Sequence, residues 1–198
     1  MTRTAGTVLV ADDDSDMRSL YRCWLASSGD VLTAADGVEA LAALDETVDV
    51  VVLDREMPRK DGVAVARELD RRDAAPGVVM ISGVRPGADL LDVPVDDYLQ
   101  KPVDRETVLS RIERAAAVAG RPTRHRRLAA LETRRRIVEV SVPREQLLGD
   151  PTYQRAVETL EDADAALERV GRDVASAVDR SGRDRRPPSS DPSLRESP

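Results

Sequence analysis

The chain has 198 residues, of which 34% are charged, and its formal net charge is −7. This acidic balance excludes a globally basic nucleic-acid binder, and the single cysteine, Cys23, excludes a framework of disulfide bonds. No apolar run approaches the roughly 18 residues that a membrane span needs. Residues 1–7 also lack the apolar stretch of a signal peptide, so we expect a cytoplasmic protein that does not enter a membrane.

The first 120 residues alternate between short apolar runs and helical patterns. Residues 7–11 (TVLVA) and 49–53 (DVVVL) are typical of strands buried on both faces of a sheet. Three further strands are predicted at residues 30–34, 78–81 and 95–99. Helices are predicted after the strands, at residues 15–28, 38–44, 62–71, 86–91 and 104–118. The alternation implies right-handed crossovers and predicts an α/β fold, in which five parallel strands form a doubly wound sheet.

Polar residues follow the predicted strands at their carboxyl ends, where sheets of this kind bind ligands. They are Asp12, Asp13 and Asp14 after the first strand, Asp54 after the third, Ser82 after the fourth and Lys101 after the fifth. Carboxylates that converge on one crevice repel one another, and a hard cation such as Mg²⁺ relieves that repulsion. A carboxylate at Asp54 can attack phosphorus and form an acyl phosphate, while Lys101 and Ser82 stabilise phosphoryl oxygens.

Lys101 stands out because lysine is rare in this chain. Only Lys60 and Lys101 are lysines among the 30 cationic residues, and the others are arginines. A compact, strongly hydrated ammonium therefore occupies a position where arginine is the habitual choice. The combined spacing is the stronger signal, because acidic residues, a lone aspartate, a hydroxyl and a Lys-Pro pair each follow a different strand.

Four segments resemble the receiver domain of two-component response regulators. They are VLVADDDSDMR (8–18), VVLDREMPRKDG (51–62), VVMISG (78–83) and DYLQKP (97–102). The resemblance covers residues 5–120 and implies a flavodoxin-like fold. It also implies a phosphoacceptor switch rather than an enzyme, a protein that assists only its own phosphorylation and dephosphorylation.

The resemblance assigns the chemistry residue by residue. It makes Asp54 the phosphoacceptor for a sensor histidine kinase. It implies that Mg²⁺ is held by Asp12, Asp13, Asp54 and the main-chain carbonyl of Glu56.

The same resemblance implies how the signal leaves the phosphorylation site. Ser82 and Lys101 bind the phosphoryl group, and Ser82 and Tyr98 form a switch pair in which the aromatic ring turns inward as the hydroxyl moves toward the phosphate. It also implies a cis peptide bond before Pro102, which is uncommon even for proline.

A phosphatase of the haloacid dehalogenase type is the alternative enzyme hypothesis. That family uses an aspartate nucleophile after its first strand, in an Asp-x-Asp-x-Thr pattern. Asp12 and Asp14 match the first two positions, but Asp16 replaces the threonine. This hypothesis also leaves the segment around Asp54 unexplained, so it is the less favoured one.

Residues 124–180 predict a small α-helical hairpin after the receiver. The first helix ends before Pro143, and the second begins at Asp150-Pro151, which combines a capping side chain with a proline at the first helical position. Apolar residues recur along the second helix in a heptad-like stripe. A homodimer through these helices is one expected consequence.

Charge differs between the two predicted helices. Residues 121–144 carry eight arginines and two glutamates, whereas residues 145–180 carry nine acidic residues and four arginines. We therefore expect the opposed charges to face each other. In a competing hypothesis the first helix contacts DNA phosphates through Arg126, Arg127, Arg134, Arg135 and Arg136. DNA binding is not favoured, because no helix-turn-helix pattern follows.

Residues 128–168 resemble the HalX-type helical domain of haloarchaeal regulators, which implies a signalling or interaction module. Residues 181–198 are rich in serine, proline, aspartate and arginine and contain one large apolar residue, Leu194. Such a segment buries too little surface to offset the entropy of ordering. The predicted organisation is thus a receiver at 5–120, a helical segment at 124–180 and a disordered tail at 181–198.

Overall fold

The computed structural model describes residues 6–27, 29–72, 75–119, 121 and 123–183, with side chains up to residue 169. Five strands form one sheet in the order β2-β1-β3-β4-β5, and every neighbouring pair is parallel. The strands are β1 (Thr7–Ala11), β2 (Asp30–Ala34), β3 (Val48–Leu53), β4 (Gly77–Ser82) and β5 (Asp97–Gln100). The predicted five-stranded parallel sheet is confirmed. Its strand order reverses between β1 and β3, the place where ligands bind to open sheets.

Four helices flank the sheet: α1 (Ser15–Leu25), α2 (Gly37–Ala42), α3 (Gly62–Leu69) and α4 (Arg105–Ala119). An aspartate caps each of the first three helices by accepting hydrogen bonds from main-chain amides of the first turn. The helix predicted at residues 86–91 is instead a short 3₁₀ helix, Ala88–Asp92. Its N-cap is Gly87, which offers no side-chain hydrogen bond. This segment therefore lacks the aspartate cap of the first three helices.

Two apolar clusters lie on opposite faces of the sheet, because successive side chains of a strand alternate between its faces. One cluster joins the sheet to α1 and α4, and it contains Tyr21, Leu25, Val108 and Ile112. The other joins the sheet to α2, α3 and the 3₁₀ helix. It also includes Tyr98 of β5 and three residues of the C-terminal region, Val138, Leu147 and Ala156.

Three helices follow the sheet and its flanking helices, which we call the sheet domain: α5 (Thr123–Ser141), α6 (Arg144–Leu148) and α7 (Pro151–Arg183). The short α6 was not predicted. Asp150 accepts hydrogen bonds from the main-chain amides of Thr152 and Tyr153, so α7 begins as its sequence indicates. One compact unit ends at Leu160 and a second begins at Glu161. Of the predicted tail, residues 181–183 are helical and residues 184–198 lie outside the described residues.

Helix α5 packs against the sheet domain through a bidentate ion pair, which we call the α5 contact. Arg126 donates to both carboxylate oxygens of Asp96, at 3.0 and 2.7 Å, and also to the main-chain carbonyls of Ala75 and Pro76. Arg127 pairs with Asp70 at 3.0 Å.

The α5 contact corrects the expectation that these arginines face the acidic second helix. Asp96 is buried, and a buried carboxylate needs a paired, hydrogen-bonded cation, which Arg126 supplies. Helices α5 and α7 meet instead through the Tyr153 hydroxyl, which donates to Glu139 at 2.6 Å. Among the described residues, no helix has the length and apolarity needed to cross a membrane.

Candidate functional site

A lysine joins two buried carboxylates at the carboxyl end of the sheet, and we call these three residues the acid site. Lys101 Nζ lies 2.9 Å from Asp12 Oδ2 and 2.8 Å from Asp54 Oδ1. Asp12 follows β1 and Asp54 follows β3, so the two aspartates flank the point where the strand order reverses. They are 2% and 7% exposed, whereas a quarter of the Lys101 side chain reaches solvent. Reagents in solution can therefore reach the site from the lysine side.

Two hydrogen bonds fix the orientation of the Asp54 carboxylate. Its Oδ2 accepts from the main-chain amide of Glu56 at 2.8 Å, while Oδ1 accepts from Lys101. Burial raises the pKa of Asp54 above its ordinary value, although Lys101 and the Glu56 amide act in the opposite direction, and Asp12 adds to the rise. Burial alone would lower the pKa of Lys101, but its hydrogen bonds to Asp54 and Asp12 raise it. The site thus holds a firmly protonated ammonium beside a carboxylate whose charge is only partly compensated.

Asp13 does not join this group. Its side chain is exposed, and the main-chain oxygens of Asp12 and Asp13 accept hydrogen bonds from Arg18 Nη1 at 2.6 and 3.0 Å. In the described part of the chain, no cluster of three or more aspartate, glutamate, histidine or cysteine side chains is placed to hold a metal ion. The structure therefore brings together two of the three predicted carboxylate ligands.

The donor chemistry of the acid site nevertheless fits Mg²⁺. This ion commonly binds through one or two carboxylates and keeps several of its waters, and Asp12 and Asp54 supply two carboxylates within reach of one ammonium group. The Glu56 amide contacts Asp54, so the main chain of Glu56 also borders the site.

One residue connects the two predicted switch residues. Ser82 is buried at the end of β4, and its Oγ accepts a hydrogen bond from the main-chain amide of Val84 at 3.1 Å. The Tyr98 hydroxyl donates to the main-chain carbonyl of Val84 at 2.5 Å. Tyr98 is only 3% exposed, so its ring already lies inward. Val84 therefore links Ser82 and Tyr98 through one hydrogen bond to each.

The main chain of Lys101 is also fixed to β4. Its amide donates to the Ser82 carbonyl at 2.8 Å, and the Lys101–Pro102 peptide bond is cis, as the resemblance implies. Lys101 thus reaches the acid site from a backbone that is anchored to the neighbouring strand.

Two residues near the site were missed from the sequence. Arg55 pairs with Asp89 at 2.5 Å; burial alone would lower the pKa of Arg55, but Asp89 and the Tyr98 hydroxyl raise it. Tyr21 is buried, and its hydroxyl has no hydrogen-bond partner among the described residues. Burial raises the pKa of Tyr21 to about 12; Lys101 acts against this rise, and Asp12 and Asp54 add to it. The position of Arg55 directly after Asp54 could have marked it as a residue of the site. Tyr21 had no such mark, because its spacing is that of an ordinary core residue.

The arginines that could have contacted DNA are engaged inside the chain. Arg135 pairs with Glu132 and Glu139, and Arg136 pairs with Glu132, all within α5. Arg126 pairs with Asp96 in the α5 contact, and Arg127 pairs with Asp70. Arg134 Nη1 donates to the Val95 carbonyl at 2.7 Å. Helix α5 is therefore packed as an intramolecular element.

Comparisons with known proteins identify what the first part of the chain is similar to. A family described as the response regulator receiver domain matches residues 8–113. A Haloferax volcanii protein that carries the name of a transcriptional regulator is 41% identical over 127 residues, which are 64% of this chain and 22% of that protein. The transcriptional regulatory protein CpxR of Klebsiella pneumoniae is 38% identical over 111 residues, 53% of this chain and 47% of that protein. The chain thus matches less than half the length of either relative.

A solved structure shares the fold of the same part of the chain. The BeF₃-activated receiver domain of DrrB, from Thermotoga maritima, aligns with a TM-score of 0.53 and 26% identity. The alignment covers 57% of this chain and 98% of that domain. The similarity therefore spans nearly all of the known domain and little more than half of this chain.

Proposed function

The chain belongs to the response regulator receiver domain family, and from this premise we propose that it is a two-component switch that accepts a phosphoryl group on Asp54. The observation that carries the proposal is the acid site, in which Lys101 Nζ lies within 3 Å of both Asp12 and Asp54. The chemistry of the residues accounts for their separate roles.

In the proposed reaction a sensor histidine kinase donates the group from its phosphohistidine. A carboxylate oxygen of Asp54 attacks phosphorus, the P–N bond to histidine breaks, and an acyl phosphate forms on Asp54. When bound, Mg²⁺ would neutralise charge on the non-bridging phosphoryl oxygens. Asp12, Asp54 and the Glu56 carbonyl would hold it, together with the exposed Asp13 that the resemblance assigns to the same ion. In this proposal the protein is a phosphoacceptor rather than an enzyme, because the residue that is phosphorylated and dephosphorylated is its own.

Lys101 and Ser82 are proposed to bind the phosphoryl oxygens. Lys101 already contacts Asp54 Oδ1, so a small shift carries its ammonium from the carboxylate to a phosphoryl oxygen. Ser82 is buried at the end of β4 and would donate its hydroxyl hydrogen to a second phosphoryl oxygen. Because Ser82 Oγ currently accepts from the Val84 amide, this movement disturbs Val84 and, through its carbonyl, Tyr98.

The C-terminal helices are the proposed receivers of this change. Tyr98 belongs to the same apolar cluster as Val138 of α5, Leu147 of α6 and Ala156 of α7. Repacking of the ring would therefore alter how these helices sit on β5. We retain residues 124–180 as a HalX-type signalling segment that follows a receiver at residues 5–120, and homodimerisation through it remains part of the proposal, as does a cytoplasmic location.

DNA binding through α5 is the less favoured function. Arg126 and Arg127 pair with Asp96 and Asp70, so phosphate contacts would require these ion pairs to break. The test is whether the protein is retained on DNA at low salt, and we expect no retention.

Phosphorylation by acetyl phosphate and Mg²⁺ tests the proposed function. On a phosphate-affinity gel, the wild-type chain should shift and Asp54→Asn should not. The matched control is Asp162→Asn, an exposed aspartate of α7, which should shift like the wild type. Equal phosphorylation of Asp54→Asn and the wild type would overturn the proposal. Hydrolysis of p-nitrophenyl phosphate that Asp12→Asn abolishes and Asp54→Asn spares would instead favour the phosphatase hypothesis.

A further inference from the structure

A cavity of about 410 Å³ lies between the receiver and the C-terminal helices. Its walls come from the end of α3, the start of β4 and the segment before β5 on one side, and from α5 and the first turns of α7 on the other. All its lining residues precede Leu160 and belong to one compact unit. Its volume falls within the roughly 300–1,000 Å³ of small-molecule sites. The acid-site residues do not line it, so the proposed function leaves it unexplained.

The lining combines apolar walls with an excess of positive charge. Its apolar side chains include Leu69, Val78, Leu91, Val95, Leu128 and Leu131. Six arginines and three aspartates also line the cavity. An apolar interior with a few polar groups is the usual composition of a site for an organic molecule, and the charge excess favours an anion.

Ion pairs account for three of the six arginines. Arg126 pairs with Asp96, Arg127 with Asp70 and Arg155 with Asp92. Arg72 and Arg121 are exposed. The buried arginine that remains is Arg134.

Arg134 is buried without an ion-pair partner among the described residues. It is 8% exposed, its Nη1 donates to the Val95 carbonyl, and its Nε is buried with no hydrogen-bond partner. Burial lowers the pKa of Arg134 to about 10, although Asp96, Asp70 and Asp92 act against the shift. A buried cation with an unused donor is unfavourable, and a bound anion would remove that penalty.

We propose that this cavity, the Arg134 cavity, binds a small organic anion, a carboxylate or phosphate ester carried on an apolar body. The guanidinium of Arg134 pairs with the acidic group, since its planar donors match carboxylate and phosphate oxygens. The apolar body packs against the leucine and valine walls. The ligand thus contacts both the receiver and α5.

Two fluorescent probes that differ in one charged group test the proposal on the full chain. 8-Anilinonaphthalene-1-sulfonate carries an acidic group on an apolar body, and N-phenyl-1-naphthylamine is the same body without it. We expect Arg134→Gln to lower the affinity for the sulfonate probe about tenfold or more, which is the effect of losing a hydrogen bond to a charged group. The affinity for the uncharged probe should stay within twofold of the wild-type value. The matched control is Arg136→Gln, which removes an exposed arginine of the same helix and should change neither probe.

A second variant keeps the test decisive if Arg134→Gln does not fold. Leu128→Trp fills the cavity with a larger apolar side chain, so it should lower the affinity of the chain for both probes. Sulfonate binding that Arg134→Gln leaves unchanged, or probe binding that Leu128→Trp leaves unchanged, would overturn the proposal. So would an absence of sulfonate binding to the wild-type chain.

Competition then identifies the acidic group. Octanoate and octyl phosphate should displace the sulfonate probe, and the stronger competitor distinguishes a carboxylate from a phosphate ester. Octanol should compete at least tenfold more weakly, because it lacks the charge that Arg134 recognises. Equal competition by octanol and both anions would contradict the assigned role of Arg134.

Discussion

Two regions of this molecule place buried aspartates beside cations, and they differ in how the charges balance. At the acid site one ammonium faces two carboxylates, Asp12 and Asp54. At the α5 contact Arg126 faces the single carboxylate of Asp96 and directs further donors to two main-chain carbonyls. The first arrangement keeps an excess of negative charge, which a divalent cation can neutralise. The second is fully matched and serves packing.

Replacing Lys101 separates these two kinds of site most strongly. We expect Lys101→Met to slow phosphorylation by acetyl phosphate about 10²-fold or more, the usual cost of losing a group that stabilises developing charge. Lys60→Met removes the other lysine, which pairs with the partly exposed Glu68, and should leave the rate within twofold. The measurement is the initial rate of phosphorylation at fixed Mg²⁺. A Lys101→Met rate equal to that of Lys60→Met would remove the distinction.

The α5 contact should matter for stability and not for phosphorylation. Arg126→Met leaves Asp96 buried without its partner, and we expect the free energy of unfolding to fall by about 3 kcal/mol. The control is Arg155→Met, which breaks an exposed pair with Asp92 and should cost less than about 1 kcal/mol. Urea unfolding measures both. A loss for Arg126→Met no greater than for Arg155→Met would show that the α5 contact is not a structural anchor.

The sequence predicts the acid site far better than the α5 contact. Strand periodicity placed Asp12, Asp54 and Lys101 at the same edge of a parallel sheet, because carboxyl ends of parallel strands coincide. It could not pair Arg126 with Asp96, because neither residue sits at the carboxyl end of a strand or in a motif that would mark it as a partner. The sequence predicted a helix at residues 86–91 where the structure has a 3₁₀ helix, and it missed α6. Short elements of this kind depend on packing more than on local periodicity.

Tyr98 bonds the segment after β4 and also packs in the apolar cluster that includes residues of the C-terminal helices. Tyr98→Phe removes the hydroxyl that donates to the Val84 carbonyl, and we expect a loss of about 1 kcal/mol in the free energy of unfolding. Tyr153→Phe removes a hydroxyl that bonds the more exposed Glu139 and should have a smaller effect. Thermal unfolding of the two variants checks this. An equal loss in both would indicate that the buried hydrogen bond of Tyr98 has no special weight.

The pH dependence of stability should reveal the uncompensated charge of the acid site. Because the pKa of Asp54 is raised by burial, the native chain binds its proton more tightly than the unfolded chain does. Stability therefore falls as the pH rises through the interval between the ordinary pKa and the raised one. Asp54→Asn lacks this loss, so its stability relative to wild type should grow over that interval. A relative stability that does not change with pH in urea unfolding would contradict the assignment.

Chemical trapping identifies the phosphorylated residue itself. Borohydride reduces an aspartyl phosphate to homoserine, and peptide mass spectrometry then locates the modified position after treatment with acetyl phosphate and Mg²⁺. We predict homoserine at position 54, with Asp12 and Asp13 unchanged. Homoserine at Asp12 or Asp13, with Asp54 intact, would contradict it.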